Sequence, residues 1–154
     1  MVGTDRSKTA DQAVLWAAQF ADRYGADLFV VQVILPQHPS TTEFGAAEHT
    51  RAAAANQELA DFVRQLVGER GHACVVMDND PALAIVRAAD QEAIDVLVVG
   101  NYGMAGRKEF LLGNVPNRIS HNSRCTVIIV NTQLLVDGRT SEPMPVGSSQ
   151  PEVH

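Results

Sequence analysis

The chain has 154 residues, 45% of them hydrophobic, and 12 Lys and Arg against 18 Asp and Glu give a net charge of -6 and a pI near 5.2. This size and apolar content suit one domain with its own core, and an acidic excess with no basic stripe excludes a nucleic-acid or membrane-surface binder. No apolar run reaches the roughly 18 to 20 residues of a membrane span and no secretory signal layout opens the chain, so a cytoplasmic protein is expected.

In chain order, Met1 to Thr4 reads as a short strand. A helix follows, with Ser7 or Thr9 placed to start it, Ala10, Ala13, Val14, Ala17, Ala18 and Ala21 on its inner face, and Gly25 to end it. Leu28 to Ile34 is an unbroken β-branched run. The second helix is expected from about Thr41 or Phe44 to Arg70, with Leu59, Phe62, Val63, Leu66 and Val67 inward and Gly71 as the stop. Ala73 to Met77 is the third strand. Asp80 caps a third helix with Pro81 in its first position and Ala82, Ile85, Val86 and Ala89 inward. Ile94 to Gly100 is the fourth strand, a helix starts near Asn114 to Pro116, and Thr126 to Val130 is the last strand.

Strands without polar alternation are buried on both faces, as in a parallel sheet. Their alternation with helices predicts an open, doubly wound α/β domain: a parallel five-stranded sheet of order 3-2-1-4-5 with helices on both faces. A ligand site in such a fold lies beyond the carboxyl ends of the strands where the winding reverses, here between the first and fourth strands. The loops converging there are Thr4-Asp5-Arg6-Ser7 and the stretch that follows Val99. The domain is expected over residues 1–133, and 134–154, rich in Pro, Ser, Gly and Glu, reads as a flexible tail or linker. At about four residues the first strand is short for a central one, which suggests either a start further upstream or a chain cut from a longer protein.

Gly100, Gly103, Gly106 and Gly113 follow the fourth strand. Backbone without Cβ admits a close ligand, successive N–H groups can form an anion nest, and a helix beginning at Asn114 adds its first-turn N–H groups. Pro116 removes one donor and leaves those of Val115 and Asn117. The stretch is neither a Walker loop nor a G-x-G-x-x-G fingerprint, so spacing alone leaves turn chemistry and phosphate binding both open. Cys74 and Cys125 lack C-x-x-C spacing and read as reduced packing residues; the five histidines show no metal-ligand spacing, and none is expected to hold a metal.

Gly100-x-x-Gly103, followed by nine residues and Gly113, resembles the G-x-x-G-x9-G-[ST] signature of the ATP-binding branch of the UspA-type universal stress protein family. Val2 to Ser7 resembles that family's first-strand ending and Asn79-Asp80-Pro81 its turn before the third helix; the similarity runs from Val2 to about Asn131. The resemblance implies a Rossmann-like subunit that binds ATP, with or without magnesium, and forms a homodimer by pairing of the last strands, Thr126 to Val130. It also implies site residues. Gly3, Thr4 and Asp5 would meet adenine and ribose, Val33 and Val99 would flank the adenine, and Gly100, Gly103, Gly113, Asn114 and Val115 would hold the phosphates through backbone N–H groups. On the residues alone Asp5 serves equally as a helix cap, and Val33 and Val99 as ordinary core.

Three departures from the family pattern stand out, the third a pair of residues. Asn114 stands where Ser or Thr is usual and offers a larger donor. Arg6 replaces Gly, either adding a cation near the crevice or pointing into solvent, and Arg107 and Lys108 bring charge into the glycine segment. No Ser-His-Asp, Cys-His or paired-carboxylate arrangement is visible, and His121 reads as a cap or a solvent-facing residue, so at most slow ATP hydrolysis is expected. Cyclic AMP, another adenine nucleotide, or a nucleotide-free interaction domain are the alternatives.

Overall fold

The computed structural model of the chain describes residues 1–37, 42–101 and 114–132. They form β1 (Val2–Thr4), α1 (Lys8–Tyr24), β2 (Leu28–Ile34), α2 (Thr42–Val67), a 3-10 turn (Gly68–Arg70), β3 (Gly71–Met77), α3 (Pro81–Gln91), β4 (Val96–Asn101), α4 (Asn114–Asn122) and β5 (Thr126–Asn131). The sheet order is β3-β2-β1-β4-β5 and every pairing is parallel, as the alternating pattern predicts. The tail expected over 134–154 lies outside the described residues.

Local signals explain most boundaries. Ser7 is the N-cap of α1, its hydroxyl accepting from the Ala10 amide at 3.2 Å. Gly25 closes the helix in the left-handed region (φ 62°), and Ala26 N–H reaches back to Ala21 C=O at 2.9 Å. Asp80 caps α3, accepting from the Leu83 amide, with Pro81 in the first turn.

Three boundaries differ by two residues or more from the sequence expectation, at the end of α2 and the starts of β3 and β4. α2 ends at Val67, not Arg70, and the left-handed residue that stops it is Gly68 (φ 64°). Gly71 instead opens β3, and its bareness has another cause: a Cβ there would lie 2.6 Å from Val63 Cγ1 and 2.9 Å from Val67 Cγ2. β4 begins at Val96 because Ile94 is held in the turn that closes α3, donating its amide to Ala89 C=O at 2.9 Å. That closure needs a left-handed residue before Ile94, and Ala93 (φ 48°) fills it, so no glycine marked the stop.

Two cores flank the sheet. On one face Val14, Ala17, Ala18 and Ala21 of α1 and Leu59 and Val63 of α2 pack over Val2, Val30, Val98 and Val130. On the other, Ala82, Ile85, Val86 and Ala89 of α3 and Ile119 of α4 pack over Val31, Leu97 and Val99. The small residues of α1 let it approach the sheet closely: a Cβ on Gly100 would sit 3.2 Å from Ala13 Cβ. β1 has three residues, yet Val2 is fully buried between Val30 and Val98. Cys74 and Cys125 are free thiols packed against the second core, and burial pushes the Cys74 thiol above its ordinary range.

Candidate functional site

The winding reverses between β1 and β4, and a cavity of about 430 Å³ opens there at the carboxyl ends of the strands. This is within the usual size of a small-molecule site. Seven of the ten expected site residues line it, Gly3, Thr4, Asp5, Val33, Val99, Gly100 and Val115, so stretches about a hundred residues apart in sequence meet in one crevice. Asn114 stands exposed at the first position of α4 and is not among the lining residues. Gly103 and Gly113, with Gly106, Arg107 and Lys108, lie outside the described residues.

The floor is the turn from β1 into α1, and its geometry follows from three short side chains. Buried Thr4 accepts from the Arg6 amide at 2.9 Å and donates its hydroxyl to Asp11 Oδ1 at 3.3 Å. Asp5 Oδ1 accepts from the Ser7 amide at 2.9 Å, a local turn that leaves the cap itself to Ser7. The other Asp5 oxygen has no partner among the described residues, and the side chain is exposed on the cavity wall. Arg6 neither enters the crevice nor points freely into solvent. Its backbone takes φ 65°, where glycine is at ease, and its guanidinium packs 4.0 Å over the Phe62 ring and pairs with Asp11 at 3.2 Å. The departure from glycine is therefore accommodated by a tie between α1 and α2.

Apolar walls rise on either side. Val33 and Val99, near the carboxyl ends of β2 and β4, line the cavity, and Leu35, Ile85 and Pro81 continue the wall toward α3. Gly3 keeps this wall open: a Cβ there would lie 3.0 Å from Ile85 Cδ1. Ser7, Thr9 and Thr132 add hydroxyls to the lining. Pro81 and Ile85 were readable in the sequence only as helix residues; that their helix starts at the same crevice follows from the topology, since every helix after a parallel strand begins at that edge. Thr132, beyond the last strand, carried no signal.

The N-terminus of α4 forms the remaining side with Val115 and Pro116. Asp80 and Arg118 join it to α3 by a two-pronged pair, with nitrogen-to-oxygen distances of 2.8 and 2.6 Å. This Arg118 contact, with the Leu83 amide second, holds the Asp80 carboxyl below the usual carboxylate range. Folding thus gains stability from the ionised form. The gain is present above the unfolded carboxyl pKa of about 3.9 and is lost as pH falls through the lower folded value. Among the described residues no group of three or more His, Cys, Asp or Glu could hold a metal, and no helix is long and apolar enough to cross a membrane.

Comparison with known proteins agrees with this architecture. The profile of the universal stress protein family matches residues 1–131. Universal stress protein Rv1636 of Mycobacterium tuberculosis is 32% identical over 141 residues, spanning 86% of this chain and 94% of that protein. A universal stress protein solved in complex with cAMP has a TM-score of 0.64 at 29% identity, covering 85% of this chain and 94% of that one. Universal stress protein UspA from Lactobacillus plantarum shares the fold, with a TM-score of 0.63 at 21% identity over 84% of this chain and 96% of its own. With its Rossmann-like sheet, a profile match over residues 1–131 and a relative similar along nearly its whole length, the chain belongs to the universal stress protein family.

Proposed function

We propose that this protein binds ATP in the crevice between β1 and β4 and acts as a nucleotide-dependent stress-response regulator. The observation that carries the reading is the convergence, around one cavity of nucleotide size, of an apolar cleft, a carboxylate with an unused oxygen and the N-terminus of α4. In this reading the adenine lies between Val33 and Val99. Ribose hydroxyls donate to Asp5. The phosphates meet the amides of Gly100, Gly103, Gly113, Asn114 and Val115, where the positive end of α4 favours anions. Arg107 and Lys108 supply cations in the same segment, and magnesium, when it accompanies ATP, is carried by the phosphates. Asp5, the carboxylate of the described crevice, is taken up by the ribose in this reading and not by a water at the phosphates, so bound ATP is expected to turn over slowly.

The test is nucleotide extracted from gently purified protein, followed by thermal unfolding with added ATP. At about 100 times Kd a ligand stabilises by about 2.7 kcal/mol, a rise in Tm of several degrees for a domain of this size. Asp5→Ala removes an acceptor to the ribose and is expected to weaken ATP by roughly 10-fold or more. No co-purified nucleotide together with a flat thermal response to ATP and to cyclic AMP overturns the reading. Cyclic AMP is the second reading, favoured by the relative at 29% identity solved with that ligand; preferential stabilisation by cyclic AMP would select it.

We also propose a homodimer through the outer edge of β5. β5 closes one side of the sheet, and Ile129 is exposed there. The Thr126 amide donates inward to Asp95 C=O at 3.2 Å, so by the alternation of a strand Ile128 and Val130 also face β4 while Val127 and Ile129 turn their amides outward. An apolar edge of this kind invites a second strand. Ile129→Pro deletes an outward donor and spares the ladder to β4. Light scattering is expected to show a dimer for the parent chain and a monomer for this variant, and a dimer unchanged by it places the interface elsewhere.

A further inference from the structure

We propose that Asp80 and Arg118 are a positioning pair for the phosphate end of the nucleotide, an inference that rests on the nucleotide-binding reading above. The pair lies outside the cavity lining and ties together the two helices that flank it. Asp80 precedes the helix whose Pro81 and Ile85 form one wall, and Arg118 lies one turn along α4 from Val115, which forms the other with Pro116.

The two ends of the bridge are unequally held. On the Asp80 side the backbone is pinned three times: the Asp78 amide donates to Ile34 C=O at 3.2 Å, the Asp80 amide to Asp78 Oδ1 at 2.8 Å, and the Leu83 amide to Asp80 Oδ1 at 3.2 Å. Arg87 approaches Asp78 Oδ2 at 3.5 Å and steadies the same turn. α4 has only nine residues, fewer than the roughly 12 to 15 at which an isolated helix becomes marginal, so its direction depends on tertiary ties. Its buried anchors are Pro116 and Ile119, and Arg118 supplies the side-chain hydrogen bonds that it makes to another element among the described residues.

A two-pronged guanidinium–carboxylate contact fixes both separation and rotation, which a point contact does not. Without it α4 can pivot about Ile119, and the amides of Asn114 and Val115 leave the line along which they meet a phosphate. The adenosine end of the cleft, built from β1, β2 and β4, is untouched by that pivot. The pair is also exposed, 44% for the Arg118 side chain and 32% for Asp80, so it adds little to global stability. Its effect is therefore specific to phosphate.

The test compares ATP with adenosine by calorimetry on the full chain and three variants. Asp80→Asn keeps an oxygen for the Leu83 amide, Arg118→Gln removes the fork, and Arg118→Lys retains charge without the fork. The expected result is ATP weakened about 10-fold or more in Asp80→Asn and Arg118→Gln, less in Arg118→Lys, with adenosine within about twofold of the parent. Hydrogen exchange of the ligand-free variants is expected to quicken in α4 alone. Parent-like ATP affinity in the first two variants, or equal losses for ATP and adenosine, sinks the positioning role and leaves nucleotide binding standing. A parent chain that binds neither compound removes the nucleotide reading, and this inference with it.

Discussion

Gly3→Val is expected to abolish measurable ATP binding while leaving the protein folded. The glycine lies in the central strand, and a Cβ on it would stand 3.0 Å from Ile85 Cδ1 and 3.8 Å from Ile85 Cγ1. A valine adds two methyl groups beyond that contact. Ile85 lines the cavity, so its flexible tip yields into the space proposed for the adenine. Overpacking of this kind costs about 1 to 3 kcal/mol, part of it offset by the lower unfolded-state entropy of valine. Binding suffers more, because the cleft itself is filled. A loss of at least about 100-fold is expected, about 2.8 kcal/mol at 1.4 kcal/mol per tenfold. Calorimetric titration with ATP beside a urea melt separates the two effects. Ile85→Ala in the same chain makes room for the valine and should restore part of the affinity. Parent-like binding by Gly3→Val would put the nucleotide outside this crevice.

Gly71→Ala is expected to cost more stability than any other single-methyl addition among the described glycines. The new Cβ would meet Val63 Cγ1 at 2.6 Å, Val67 Cγ2 at 2.9 Å and the Val63 carbonyl oxygen at 3.1 Å. Two of these belong to short β-branched side chains with few rotamers, and the third is backbone, so none can yield cheaply. α2 must lift away from β3, which breaks part of the core around fully buried Val63. A loss of about 2 to 3 kcal/mol follows from overpacking. Gly68→Ala is the instructive contrast. Nothing lies within 4 Å of its Cβ position, and its cost comes only from φ 64°, about 1 to 2 kcal/mol for an alanine in the left-handed region. Urea midpoints at constant m value check both figures; a Gly71→Ala loss no larger than that of Gly68→Ala would contradict the close approach of α2 to β3.

These two glycines show what the chain declared in advance and what it did not. Either could stop a helix by sequence reasoning, and Gly71 sat nearer the expected end. Which one takes a positive φ is decided by how the last turn of α2 lies on β3, a contact between whole elements. Ala93 makes the same point from the other side. It takes the left-handed position that ends α3, where a glycine would have been visible in the sequence. Boundaries set by close approach are written in distances between chains of residues, and a local pattern does not contain them.

The candidate site divides in the same way. The glycine spacing and Asp5 were visible as motifs, and the strand order implied by the β-α alternation already put them at one crevice. Arg6 was not legible. Its packing over Phe62 depends on α2 crossing beside α1, a residue separation at which sequence pattern carries no geometry. The Asp80–Arg118 bridge was equally silent, because Asp80 read fully as a helix cap and no motif singled out Arg118.

By itself, then, the sequence determined the parallel five-stranded sheet, its order, the two helical layers and the edge at which a ligand would enter. Buried β-branched runs, small-residue helix faces and capping residues act locally or through strand alternation, and such signals survive in one dimension. Only the tertiary structure decided the shape of the crevice: the wall that Ile85 lends to Gly3, the withdrawal of Arg6 onto Phe62, and the bridge from Asp80 to Arg118 that ties its two flanking helices. Each is a side-chain contact between elements distant in sequence, whose direction is set by packing after the backbone topology is complete.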